Sequence, residues 1–207
     1  MKKIITTSFF LLVGLFLFSQ NEVDVEREFI YRGKHYIPHS PYWTVGTGYG
    51  YNFDEAVVEP NLFVDLHYRL FKEHYFGTGF LLSRNQILAK GYDNIFLTHD
   101  YLKHSVINAH VTYGWRGVGL KYNWGVFVGP SLNWGFDYAY TDTAGNYFVN
   151  PFLEPGLFVS GEITYKYFFD MGIGLTAWAS VNKSYQAAGI SLHLYFSAAL
   201  KRTLAGY

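Results

Sequence analysis

The chain contains no cysteine. That excludes disulfides, a thiolate nucleophile, Cys-ligated zinc and an acyl-cysteine lipid anchor. Charge is scarce as well. Lys, Arg, Asp and Glu make up 15% of 207 residues, against roughly 25% in a soluble globular domain. The 16 basic and 16 acidic residues cancel, so no electrostatic case exists for a nucleic-acid partner. Beyond residue 20 no stretch approaches 18 consecutive apolar residues. A membrane span, if there is one, is therefore not helical. Eight histidines are present, yet no two sit at an i, i+2 ligand-like spacing, so no metal site is expected. No cofactor motif occurs.

What is abundant is aromatic. Tyr and Phe number 19 each, Gly 21, and the hydrophobic residues (Ala, Val, Ile, Leu, Met, Phe, Trp and Tyr) reach half of the chain. Mean hydropathy is nonetheless close to zero, so apolar and polar residues are interleaved rather than gathered into runs.

The first 19 residues read as a secretory signal peptide. Lys2 and Lys3 precede an apolar run, Ile4 to Phe18, that is too short to cross a bilayer comfortably. Cleavage is expected near Ser19 and Gln20. Removing Lys2 and Lys3 takes two of the 16 basic residues and none of the 16 acidic ones, a formal charge of −2. Residues 20–40 follow as a segment that is acidic, then aromatic and basic ("IYRGKHYIPHSP"). The layout is a signal peptide (1–19), a periplasmic segment (20–40) and a β-barrel (41–207).

The barrel reading comes from period two. In "YWTVGTGYGYNF", Trp43, Val45, Thr47, Tyr49 and Tyr51 share one face, and Gly46, Gly48, Gly50 and Asn52 the other. The same alternation, the signature of a half-buried strand, recurs in "NLFVDLHYRLF", "SVINAHVTYGW", "VGLKYNWGVFVG" and "AAGISLHLYF". It is weaker in 75–83, 156–167 and 171–180. Eight strands result between about residues 41 and 198. The connections near 71–75, 115–118 and 166–171 are short. Those at 53–60, 84–103 and 141–152 are mostly longer and carry Asp, Asn, Gly and Pro. The period-two strand starting at Val118 keeps its parity to Tyr140. It is expected to project above the bilayer or to bend near Gly129-Pro130.

This is the hairpin layout of an all-β, eight-stranded antiparallel transmembrane β-barrel, an up-and-down meander. The competing reading is a secreted β-sandwich. Three features favour the barrel. The polar face is Gly, Ser, Thr and Asn with isolated charges, unlike the Lys/Glu-rich face of a soluble sheet. The aromatics Trp43, Tyr51, Tyr113, Trp115, Tyr165 and Phe196 fall toward strand ends on the apolar face, where a membrane–water interface would lie. The signal peptide takes the chain out of the cytoplasm. Closure follows, because lipid offers no partner to an open strand edge.

"VFVGPSLNWGF" (126–136), "LFSQ" at the end of the signal and "GISLHLYF" (189–196) resemble the small outer-membrane β-barrel proteins of Bacteroidetes-type bacteria. The resemblance covers about residues 41–196. It implies the barrel fold and a Gram-negative outer-membrane location, with the last strand, carrying Leu194 and Phe196, as an assembly signal. The chain continues past that strand through "SAALKRTLAGY".

The inward charged set is Asp65, His67, Arg69, His110, Lys121, Glu162 and His193. It reads either as a lumen site or gate, or as groups satisfying one another in a narrow interior. Asp65 and Arg69 are expected to pair with Lys121 and Glu162 rather than together. A serine-type lipid deacylase would need Ser, His and an acid in reach. His104 and Ser105 point to opposite faces, and His193 has Ser191 and Ser197 on its face but no evident acid. A protease pair could come from His99 and Asp100.

The sequence therefore points to a non-enzymatic outer-membrane barrel, structural or an accessory subunit of an envelope assembly. The alternatives are a membrane-embedded lipid-modifying hydrolase and a small pore. Partners are outer-membrane lipids and other envelope proteins, met through residues 20–40 and the apolar loop 84–103.

Overall fold

A computed structural model describes residues 29–54, 56–83, 105–141 and 147–200. The expected signal peptide (1–19), the start of the 20–40 segment, loop 84–103 with His99 and Asp100, His104 and the 201–207 tail lie outside the described residues. Ten strands form, in two sheets. A short hairpin pairs β1 (Phe29–Tyr31) with β2 (Lys34–Tyr36). Its two-residue turn puts Arg32 at φ 50° and Gly33 at φ 76°, the paired left-handed geometry that suits a tight hairpin and explains the glycine.

The other eight close a barrel. They are β3 (Tyr42–Asn52), β4 (Val57–Phe71), β5 (His74–Ser83), β6 (Ser105–Val118), β7 (Tyr122–Thr141), β8 (Tyr147–Phe168), β9 (Met171–Val181) and β10 (Gln186–Ser197). Every neighbour is antiparallel and sequential, and β10 closes onto β3 from Ala187↔Asn52 to Ser197↔Tyr42. Each hydrogen-bonding edge thus finds a partner, as hydrocarbon requires.

The β6–β7 connection differs from the expectation. Val118 ends β6 instead of opening a long strand, and the turn occupies 119–121, closed by Gly119 N–H donating to Tyr122 O at 2.9 Å. The β6–β7 ladder lapses between Tyr113↔Val128 and His110↔Ser131, where Pro130 has no N–H to give. Beyond that gap β7 and β8 continue together to Thr141↔Tyr147. β6 starts opposite Phe136 and β9 ends opposite Leu157, so this hairpin rises above its neighbours.

The parity is resolved as outside apolar, inside polar or ring-bearing. Val64, Phe80, Val126, Leu157, Leu175, Ile190 and Leu192 are exposed. Asn61, Asn108, Asn133, Thr164, Ser180 and Ser191 are buried. The inward glycines make room for side chains from other strands. A Cβ on Gly46 would collide with the Phe63 ring, and one on Gly50 with Trp178. Phe63, Leu81, Val106, Phe158, Trp178, Tyr185 and Ala187 form one internal apolar cluster, and Tyr42, Tyr75, Phe127 and Tyr195 another.

At the short-turn end the chain termini of the barrel meet. Ile37 N–H donates to Ala199 O at 2.7 Å and Ala198 N–H to Pro41 O at 2.9 Å, and Tyr36 bridges Leu200. Tyr36, Phe169 and Ala199 form a small buried cluster there.

Candidate functional site: the barrel interior

The interior is a set of polar clusters stacked along the axis, each drawing on strands far apart in sequence. Nearest the long-loop end, Glu59 is fully buried. Its carboxylate accepts from Ser83 Oγ (2.5 Å), Asn52 Nδ2 (3.1 Å) and Tyr185 OH (3.2 Å). Below it, Ser191 Oγ donates to Asn61 Oδ1 at 2.7 Å and accepts from Trp178 Nε1 at 3.2 Å.

Mid-barrel, His110 Nε2 lies 2.9 Å from Asp65 Oδ1 and His110 Nδ1 2.9 Å from Asn108 Oδ1. The two contacts hold the ring between Asp65 and Asn108. Asn108 Nδ2 passes the chain on to Asn133 Oδ1 (2.7 Å) and Ser180 Oγ (3.0 Å). The His110 ring stacks on Phe158, centroids 3.9 Å apart. Gly79 faces this pair without a side chain, and a Cβ there would clash with Asp65.

On the opposite wall His193 sits between two threonines, Thr164 Oγ1 at 2.9 Å from Nε2 and Thr176 Oγ1 at 2.7 Å from Nδ1. Ser191 belongs to Asn61 and Trp178. Among the described residues no carboxylate hydrogen-bonds His193, so the Ser–His–acid arrangement is not assembled there. No group of metal-ligating side chains occurs among the described residues.

Toward the short-turn end lies Arg116, 1% exposed. Its guanidinium stands 3.6 Å from the Tyr42 ring centroid, 5.2 Å from Tyr195 and 5.4 Å from Tyr75, and Nη2 donates to Tyr195 OH at 2.8 Å. Such a cage stabilises a cation through the ring quadrupoles. Among the described residues no carboxylate pairs with it directly. Glu162 reaches it only through Tyr42, whose OH donates to Glu162 Oε1 at 2.7 Å. His67 stacks between Tyr42 (4.6 Å) and Phe127 (4.3 Å). Lys166, also buried, lies 3.6 Å from the Phe169 ring and donates to Gly119 O.

His39, outside the barrel strands, closes this end by meeting Tyr75 OH with Nδ1 at 2.8 Å. Burial, then the charges of Arg69, Arg116 and Lys166, hold its pKa down from the ordinary 6.5 to about 4. The ring is therefore neutral at pH 7.

Of the seven charged positions read as inward, Asp65, His67, His110, Glu162 and His193 are buried in the interior. Lys121 is exposed. It occupies the β6–β7 turn rather than a strand, so strand parity does not apply to it. Arg69 is only partly buried and turns back to the end of β4, its Nε donating to Lys72 O at 2.7 Å. The anticipated partners also differ. Asp65 pairs with His110 across Gly79 of the strand between them, and Glu162 with Tyr42 because closure brings β3 round to it. Sequence reading missed Arg116, Glu59 and Lys166. The parity was available for Arg116, which continues the inward series Asn108, His110, Thr112, Gly114 by one more step.

The six aromatics named above all lie on the outward face. Trp43 stacks on Phe196 (6.0 Å), Tyr113 meets Trp115 (5.9 Å), and Tyr122 meets Tyr165 (5.3 Å). These sit at the short-turn end, and Tyr51 with Phe53 (5.3 Å) at the other.

No family model and no curated protein matches the chain. Solved structures do. Neisserial surface protein A is similar with a TM-score of 0.55 at 10% identity, over 76% of this chain and 96% of that one. Ail, the attachment invasion locus protein of Yersinia pestis, is similar with a TM-score of 0.53 at 9% identity, over 76% of this chain and 98% of that one. Ail in complex with the heparin analogue sucrose octasulfate gives 0.51 at 9% identity, over 76% and 97%. The chain has the fold of these small eight-stranded outer-membrane β-barrels, and its apolar exterior is that of a protein of the outer membrane.

Proposed function

We propose that this protein is a non-enzymatic outer-membrane barrel that serves as a rigid structural or accessory subunit of an envelope assembly. The observation that carries the reading is the filled interior. Glu59, Asn61, Asp65, Asn108, His110, Arg116, Glu162 and His193 are all under 9% exposed and are hydrogen-bonded to other strands, with Arg116–Tyr195, Glu162–Tyr42 and Asn108–Ser180 reaching across the lumen. An eight-stranded barrel has just enough width for such packing. A wall braced this way suits a fixed platform better than a conduit or a substrate cleft. The charged set acts to hold the barrel, and the outward aromatics anchor its two rims at the lipid–water boundary.

The short turns and the barrel termini share one end, which we assign to the periplasm by the layout of such barrels. Residues 1–19 are then a signal peptide, 20–40 a periplasmic segment, and 41–207 the barrel. Residues 20–40 and 84–103 are the surfaces offered to other envelope proteins. The resemblance of 126–136 and 189–196 to small barrels of Bacteroidetes-type bacteria supports that source.

Extraction of the tagged chain from native outer membranes in mild detergent, followed by mass spectrometry of what accompanies it, tests the proposal. A stable protein partner lost on deleting 20–35 is expected. Step conductance in planar bilayers, or phospholipid cleavage abolished by His193→Ala, would refute it.

A further inference from the structure

We propose that the short-turn end of the lumen holds one small monovalent anion, of the size of chloride, between Arg116 on β6 and Asn123 on β7. This goes beyond the structural role above and rests on the closed barrel alone. Across β6–β7, Arg116 pairs with Gly125 and Val118 with Asn123, and across β7–β8 Asn123 pairs with Thr164. Arg116 and Lys166 are therefore the diagonal neighbours of Asn123, one on either side. Such neighbours lie about 7–8 Å apart, within reach of long side chains. All three point inward, with Arg116 and Asn123 1% exposed and Lys166 4%.

These groups do not satisfy one another. Arg116 Nη2 has Tyr195 OH, but Arg116 Nε and both polar atoms of the Asn123 amide are buried without a hydrogen-bond partner. Leaving such groups bare in a protein interior is costly. Charge is out of balance at the same place. Arg116 and Lys166 are two buried cations against one carboxylate, Glu162, which accepts from Tyr42 OH. Asp65, the next carboxylate along the lumen, is taken by His110. Arg116 cannot shed its proton, and the rings of Tyr42, Tyr75 and Tyr195 ease the burial of a cation without neutralising it.

A bridging water would complete the hydrogen bonds and leave the charge. A small anion answers both. It accepts from Arg116 Nε–H and Asn123 Nδ2–H. Asn123 Oδ1 is left to the Lys166 ammonium, which has N–H groups to spare beyond Gly119 O. A lumen this full of side chains has room for a halide-sized ion rather than a phosphate or larger oxyanion. The chain termini of the barrel seal the site from below. Tyr36, Phe169 and Ala199 pack against Val118, the partner of Asn123 in the ladder, and the Phe169 ring lies 3.6 Å from Lys166 Nζ.

The test uses the full chain in lipid vesicles, unfolded reversibly by urea in sodium chloride or in sodium gluconate of the same ionic strength. An anion held by the folded chain and released on unfolding makes the unfolding constant fall about tenfold for each tenfold rise in chloride above saturation. Gluconate, too large for the site, should give no such slope. Arg116→Met should abolish the chloride slope. Asn123→Leu, which removes a donor and no charge, should shift the dependence to several-fold higher chloride. Crystals grown in sodium bromide should show anomalous density beside Arg116 Nε. Equal stability in chloride and gluconate, or a bromide crystal with no anomalous peak at that position, overturns the site. So does a chloride dependence that Asn123→Leu leaves unshifted, a result that stands even where Arg116→Met fails to fold.

Discussion

Consider the removal of one side of the mid-barrel ion pair. His110 and Asp65 approach to 2.9 Å, with side chains 2% and 8% exposed. At an effective dielectric constant of about 20 the gross attraction is about 6 kcal/mol. Desolvation of both ions offsets most of that, so the pair by itself adds little net stability. The asymmetry lies in breaking it. Asp65→Ala leaves the buried His110 ring without its partner, and His110→Phe, which keeps the stack on Phe158, leaves the Asp65 carboxyl without a donor. Each should cost about 3–5 kcal/mol. In the double variant neither group is stranded. Its cost should be well short of the sum, with a coupling energy of about 2–3 kcal/mol. Asp65→Asn keeps an acceptor oxygen and should cost less than Asp65→Ala. The measurement is reversible urea unfolding in lipid vesicles, followed by the fluorescence of the five tryptophans. Additive single effects, within about 0.5 kcal/mol, would refute an obligate pair.

Four further outcomes follow from the same geometry. Leu192→Arg places a charge on the outward face at mid-height of β10 and should cost about 2–4 kcal/mol in vesicle unfolding, whereas a soluble sheet would lose within about 0.5 kcal/mol at an exposed site. Arg116→Met should cost more than about 2 kcal/mol, from the lost cation–ring contacts and the stranded Tyr195 hydroxyl. Lys121→Ala should stay within about 0.5 kcal/mol, as expected for an exposed turn. His39 has a folded pKa near 4 against an ordinary 6.5. The docking of 36–41 onto the barrel is therefore fully present above pH 6.5 and weakens as pH falls from 6.5 toward 4. Protection of the Ile37 and Ala198 amides, relative to their intrinsic exchange rates, should fall as pH drops across that window, and His39→Gln should flatten the dependence.

The eight strands were readable because side-chain direction alternates strictly along an extended chain, a local property that each segment carries by itself. Glycine opposite large residues, as in 43–51, was enough to say that one face is greasy and the other nearly bare. Lys121 escaped that logic, since one turn shifted by three residues removes a position from strand parity altogether. Arg116 followed the parity and was missed only because the inward series was ended one step early. Lys166 likewise extends the inward series Ser160, Glu162, Thr164 by one step, and Glu59 extends Asn61, Phe63, Asp65 by one step toward the N-terminus. The two-stranded hairpin 29–36 shows no long alternation at all, and its turn residues Arg32 and Gly33 were the one signal on offer.

Alternation thus decided from sequence alone which residues face outward and which inward, because it needs no knowledge of neighbours. Which inward groups meet was decided only by strand pairing and closure. Asp65 finds His110 at 45 residues' separation, Glu162 finds Tyr42 at 120, and Glu59 finds Tyr185 at 126. The first meeting depends on the register of β4, β5 and β6, which sets Asp65, Gly79 and His110 side by side, and the other two depend on the β10–β3 seam as well. No local pattern encodes them, because each contact exists only once strands distant in sequence have paired and the sheet has curved on itself.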